Sequence, residues 1–214
     1  MKNLTAVALF VLGLSQSPKA LALGTLQVSS LGQTPVASAA IGSDSWIAQS
    51  FSVGSLNPAV YTLNAVQLLM NPASGNPAGF SVSIYDNPLS SFTPLNLLGT
   101  LTGPNPSAGG VFTYTSSGIT LATGTPYFVV VTAGTPVARG AFYNWSAYQG
   151  SPTTSGTWTI NDFYASSSNG STWTATTRQD IFQMALYTTP TPEPGTLALA
   201  GIGLACWSFR RHRR

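Results

Sequence analysis

Apolar residues in this chain recur at every second position in short blocks, and Gly, Pro, Asn or Ser closes most blocks. A period of two puts one set of side chains on one face of an extended strand and the alternate set on the other. Phe80, Val82 and Ile84 alternate with Ser81, Ser83 and Tyr85. Phe182, Met184 and Leu186 alternate with Ile181, Gln183, Ala185 and Tyr187. Ile47, Phe51 and Val53 share a face whose reverse carries Ala48, Ser50 and Ser52. Tyr127 to Val131 is a continuous apolar run behind Gly124-Thr125-Pro126, the pattern of a central strand covered on both sides. Val60 to Met70, set between Asn57-Pro58 and Asn71-Pro72, reads as one long strand from its β-branched and aromatic content. Asn169-Gly170 lies between two β-prone stretches and signals a hairpin, since both residues tolerate positive φ. About eight to ten strands at this spacing predict an all-β domain, an antiparallel, jelly-roll-like β-sandwich over residues 23–188.

Charge narrows the function classes. Only 6% of the 214 residues are charged, and the net charge is +3. Its distribution matters more than its sign. Arg210, Arg211, Arg213 and Arg214 crowd the C-terminus, and Lys2 and Lys19 lie near the N-terminus. Between them only Arg139 and Arg178 stand against Asp44, Asp86, Asp162 and Asp180. No basic patch remains to neutralise phosphates, so nucleic acid is excluded as a partner.

Both ends read as addresses. Lys2, an apolar run from Leu4 to Leu14 and the triplet Ala20-Leu21-Ala22 form a secretory signal peptide over residues 1–22. At the other end, residues 189–195 make a Pro/Thr linker containing Pro192-Glu193-Pro194. An apolar stretch over 196–209 follows, expected as a short transmembrane helix, and residues 210–214 form an Arg-rich cytoplasmic tail by the positive-inside rule. Fourteen helical residues span about 21 Å, less than the roughly 30 Å hydrocarbon core, which favours a transient stop over a permanent tail anchor.

Pro-Glu-Pro, a short apolar stretch and the cluster Arg210, Arg211, Arg213 and Arg214, in that order, resemble the PEP-CTERM sorting signal of Gram-negative bacteria. The resemblance implies recognition by an exosortase-type enzyme, transient residence in the inner membrane and cleavage near Pro192, Glu193 and Pro194. It further implies delivery to the cell surface in bacteria that make exopolysaccharide. A second resemblance covers residues 25–188. Ala48-Gln49-Ser50-Phe51, Tyr61-Thr62-Leu63, Phe80 to Tyr85, Leu121 to Phe128, Trp145 and Gly170-Ser171-Thr172-Trp173 follow one another as in the choice-of-anchor R domain. That family implies an exported β domain and no activity.

The residues offer little for catalysis. His212, the single imidazole, lies in the tail, so a Ser-His-Asp or Cys-His nucleophile is excluded from the domain. No Lys follows Lys19, which removes Schiff-base chemistry. A glycosidase would need two carboxylates about 5–10 Å apart, and only Asp162 with Asp180, or Asp44 with Asp86, are available. Cofactors are expected to be none; a structural calcium at Asn161-Asp162 is the open alternative. From Phe142 to Trp173 aromatic rings interleave with amides, the combination that stacks on sugar rings and bonds their hydroxyls. Trp145, Tyr148, Trp158 and Trp173 are the candidate glycan-binding residues, with core packing as the competing role. The expectation is thus a non-enzymatic surface or extracellular-matrix protein associated with exopolysaccharide. A carbohydrate-binding module is the alternative.

Overall fold

The computed structural model describes residues 23–54, 60–89, 91–177 and 180–191. The alternating blocks become fourteen strands in two seven-stranded antiparallel sheets, so the β-sandwich expected from the sequence is what forms. The first sheet contains β1 (Thr25–Ser29), β2 (Ala37–Ile41), β4 (Val60–Ser74), β7 (Gly110–Ala122), β9 (Phe142–Gln149), β13 (Asp180–Phe182) and β14 (Met184–Pro190). The second contains β3 (Trp46–Ser52), β5 (Ser81–Asp86), β6 (Asn96–Leu101), β8 (Pro126–Thr132), β10 (Thr153–Ser155), β11 (Trp158–Ser167) and β12 (Thr174–Thr176). One 3-10 turn, Val137–Arg139, is the sole helical element among the described residues.

In the first sheet β4 is the spine. Leu68 pairs with Met184 of β14 on one edge and with Phe112 of β7 on the other. Beyond it, Met70 pairs with Trp145 of β9 on the edge that β14 has just left. The last segment of the domain therefore changes partner. Phe182 of β13 lies beside Ala147 of β9, Gln183 steps across, and Met184 resumes beside β4. Leu69 N–H and Trp145 Nε1 both donate to the Gln183 carbonyl, at 3.1 and 3.0 Å, which fixes the crossing.

The second sheet runs β10-β11-β3-β8-β5-β6, with β12 beside β10 on the outer edge of β11. Central strand β8 is apolar on both faces, as its unbroken run implied. Tyr127, Val129 and Val131 enter the main core between the sheets, whereas Phe128 and Val130 join Ala48 and Ala165 in a small second cluster on the outer face. The main core takes one face of each alternating strand: Ile47, Phe51 and Val53; Val82 and Ile84; Phe182, Met184 and Leu186.

Two boundaries differ from the sequence expectation. Asn71-Pro72 does not end β4, which continues to Ser74. Asn71 pairs with Asn144, and Pro72 falls within an irregularity before Ser74 pairs with Phe142, where a missing N–H costs no ladder bond. The linker expected from residue 189 also begins later. Thr189 and Pro190 pair with Thr62 and Tyr61, and Thr191 N–H bonds the Val60 carbonyl at 3.2 Å.

Gln49 is a fully buried polar side chain on the core face of β3. The ladder between β3 and β11 slips between Ile160 and Tyr164. Gln49 Nε2 fills that gap by donating to the carbonyls of Asn161 (2.8 Å) and Phe163 (3.2 Å). Its Oε1 accepts from Phe182 N–H of the opposite sheet at 2.8 Å. One amide thus satisfies a bulge and ties the two sheets together.

Candidate functional site

The sandwich has two unlike ends. At one, Thr191 bonds Val60, Val60 pairs with Ala122, and Asn87 N–H bonds the Pro126 carbonyl. Thr25 pairs with Thr188 beside them. Both termini of the domain therefore leave from this end. At the far end lie the loop from Gly42 to Ser45, the Val137–Arg139 turn and the β11–β12 hairpin.

The aromatic residues chosen from the sequence divide between core and surface. Trp145, Tyr148 and Trp158 are buried to 0%, 4% and 2% exposure, so their rings offer no face to a sugar. This corrects the expectation of a glycan platform built on them. Trp145 packs on Phe182 with centroids 4.9 Å apart. Trp158 meets Tyr61 edge-on at 5.1 Å. Tyr148 uses its hydroxyl on the Ser151 carbonyl and Thr153 Oγ1, and burial pushes that hydroxyl's pKa up. Trp173 alone of the four is part-exposed, on the outer face of the second sheet. There it stands edge-on to Trp46, 6.4 Å between centroids.

Beside these two rings is a pocket of about 370 Å³, lined by Asp44, Ser45, Ser166, Ser167, Ser168, Thr172 and Thr174. The predicted hairpin builds one wall. Ser167 Oγ accepts from the N–H groups of Asn169 and Gly170, and Asn169 Oδ1 accepts from those of Ser171 and Thr172. Gly170 has φ +72°, and a Cβ there would meet the Trp46 ring at 2.9 Å, so glycine is required both for the turn and for the close approach. Asp44 builds the other wall. Its two carboxylate oxygens accept from Val137 N–H (2.6 Å) and Ala138 N–H (3.2 Å), and the Val137 bond most of all holds its pKa below the ordinary 3.8. Its charge is committed to the Val137–Arg139 turn, whereas the hydroxyls of Ser166, Ser168, Thr172 and Thr174 bond no other described residue. The pocket is a hydroxyl-rich cleft with one carboxylate, Asp44, in its wall, able to exchange hydrogen bonds with a polyol.

Trp46 and this pocket were missed in the sequence, although alternation with Ala48 and Ser50 already placed Trp46 on the outer face. The proposed carboxylate pairs fare otherwise. Asp44 sits at the far end near Gly42, which bonds Thr132, whereas Asp86 pairs with Tyr127 at the other end of β8. Six residues of strand, roughly 20 Å, separate them, so they cannot act as a pair. Asp162 is exposed, and Asp180 accepts from Gln149 Nε2 at 2.8 Å. Asn161 is tied to β3 through Ser50 and Gln49. Among the described residues no three His, Cys, Asp or Glu side chains cluster to hold a metal ion.

The sorting residues Pro192, Glu193, Pro194, Arg210, Arg211, Arg213 and Arg214, the expected helix over 196–209 and the signal peptide over 1–22 lie outside the described residues. No helix among the described residues is long and apolar enough to cross a membrane. The domain does fix where the tail starts, at Thr191. Residues 190–214 match the PEP-CTERM protein-sorting motif. This PEP-CTERM tail marks an exported protein, processed by an exosortase-type enzyme and sorted to the surface of a Gram-negative cell. No curated protein and no solved structure matches the chain.

Proposed function

We propose that the chain is a non-enzymatic surface or extracellular-matrix protein whose PEP-CTERM tail delivers a β-sandwich into the exopolysaccharide layer. The tail match carries this reading. In it the signal peptide starts export and the apolar stretch halts the precursor in the inner membrane. An exosortase-type enzyme then cuts near Pro192-Glu193-Pro194. The choice-of-anchor R resemblance of residues 25–188 supports an exported β domain and nothing sharper. A sparsely charged surface rich in Ser and Thr suits packing among neutral glycans.

Deleting residues 192–214 leaves β14 and its Thr191–Val60 bond intact, and it should release folded domain into the periplasm or medium. Fractionation and immunoblotting measure this. Retention of the shortened chain at the location of the full chain would defeat the reading.

A carbohydrate-binding role is the second reading, favoured by the hydroxyl-lined cleft beside Trp46 and Trp173. Trp173→Ala removes the part-exposed ring without opening the main core. It should weaken binding to neutral exopolysaccharide fragments about tenfold, the equivalent of about 1.4 kcal/mol. Calorimetric titration of both forms decides the matter, and equal affinities would remove this surface as the contact.

A further inference from the structure

Exposed large apolar side chains are not spread over the described surface. Five of the eight, Leu89, Phe92, Leu95, Leu97 and Leu98, occur within one stretch of ten residues at 38–77% exposure. They occupy the β5–β6 connection and the edge strand β6. The stretch from Asn87 to Leu101 contains no charged residue.

The connection is built to hold these side chains out. Asn87, only 2% exposed, anchors it from within. Its Oδ1 accepts from Leu89 N–H at 3.0 Å, and its Nδ2 donates to the Thr93 carbonyl at 2.5 Å and to Ser91 Oγ. Leu95 N–H returns to the Asp86 carbonyl, and Phe92 rests edge-on against Phe163 at 4.9 Å. A buried amide and a ring contact thus fix a turn that carries Leu89 at 77% exposure. An apolar patch maintained at this cost in ordering marks a contact surface.

Its position identifies the contact. Asn87 bonds Pro126 at the end from which Thr25 and Thr191 depart. Only Pro192 to Gly195 separate Thr191 from the apolar run beginning at Thr196. Fully extended, that tether reaches at most roughly 18 Å. With the tail inserted, this end must lie close to the bilayer, and the neutral leucine corner is on it.

We propose that the Leu89–Leu98 corner docks on the lipid bilayer while the tail is uncut, holding the exit end of the sandwich, and with it Pro192 to Gly195, at the membrane surface. The proposal rests on the reading of residues 196–209 as membrane-inserted. Having no charge to contribute, the corner binds neutral and anionic lipid alike, and salt does not release it. Cleavage removes the tether, and the small patch alone is too weak to keep the domain on the membrane.

The test uses the full chain with Cys206→Ser, inserted into phosphatidylcholine vesicles that carry a headgroup nitroxide. A fluorophore is attached at Pro88→Cys, an exposed position outside the Asn87 hydrogen bonds, or, at the far end, at Ser168→Cys. The expected result is quenching at position 88 at least threefold stronger than at 168, unchanged by salt. Leu89→Ser with Leu95→Ser should abolish the difference while the chain still floats with the vesicles. These two side chains are exposed, so the fold survives their loss, and circular dichroism checks it. Equal quenching at 88 and 168 in vesicle-bound chain would overturn the docking and leave the inserted tail standing. Energy transfer between two copies labelled at 88, without lipid quenching, would assign the corner to self-association and overturn it as well. Failure of the chain to float with vesicles would overturn membrane insertion first, and the docking with it.

Discussion

Trp145→Ala is expected to lower the stability of the domain by about 3–5 kcal/mol, out of the 5–15 kcal/mol typical of a whole domain. Two separate losses add. The ring is fully buried against Phe182, so its removal opens a large cavity in the main core. Its Nε1 also donates to the Gln183 carbonyl, at the point where the last segment passes from β9 to β4. Trp145→Phe separates the two terms. It retains most of the apolar contact and loses the donor, with an expected cost near 1–2 kcal/mol. Guanidinium unfolding followed by circular dichroism measures both, and a loss below 1 kcal/mol for the alanine variant would contradict the packing described.

Gln49→Leu is expected to cost on the order of 3 kcal/mol even though it exchanges a polar side chain for an apolar one of similar size in a core position. The carbonyls of Asn161 and Phe163 and the Phe182 N–H would each lose a partner inside the sandwich. An unsatisfied buried group costs about 1–3 kcal/mol, and partial relaxation of the β11 bulge offsets some of the sum. Gln49→Met should behave alike, since the defect lies in lost hydrogen bonds and not in lost volume. A leucine variant as stable as the parent would mean that the bulge closes without the amide. Amide exchange at Phe182 reports the same event locally, and its protection should fall in both variants.

The alternation of Val82 with Ser83, or of Met184 with Ala185, fixes which side of a strand meets the core, and it was readable directly. Which rings of β9 reach solvent was not. Tyr143, Trp145 and Ala147 face the main core, yet Tyr148, on the opposite parity, is buried too, with its hydroxyl bonded to Ser151 and Thr153. Period two assigns faces; it does not tell which faces other parts of the chain will cover. Gln49 was opaque for a related reason. Its role depends on a slip in the pairing of β11 more than a hundred residues away, and nothing near Gln49 in the sequence records that slip. The hairpin around Asn169-Gly170 was legible because its bonds are local, but that it would wall a cleft against Asp44 was not. The tail was the most legible part, since its parts are contiguous and need no fold to be recognised.

The last strand of the domain, β14, is an interior strand, held between β1 and β4. The first sheet therefore cannot close without residues 184–190. The sorting motif follows directly, over 190–214. A chain cut short before residue 184 thus loses an interior strand and its address together.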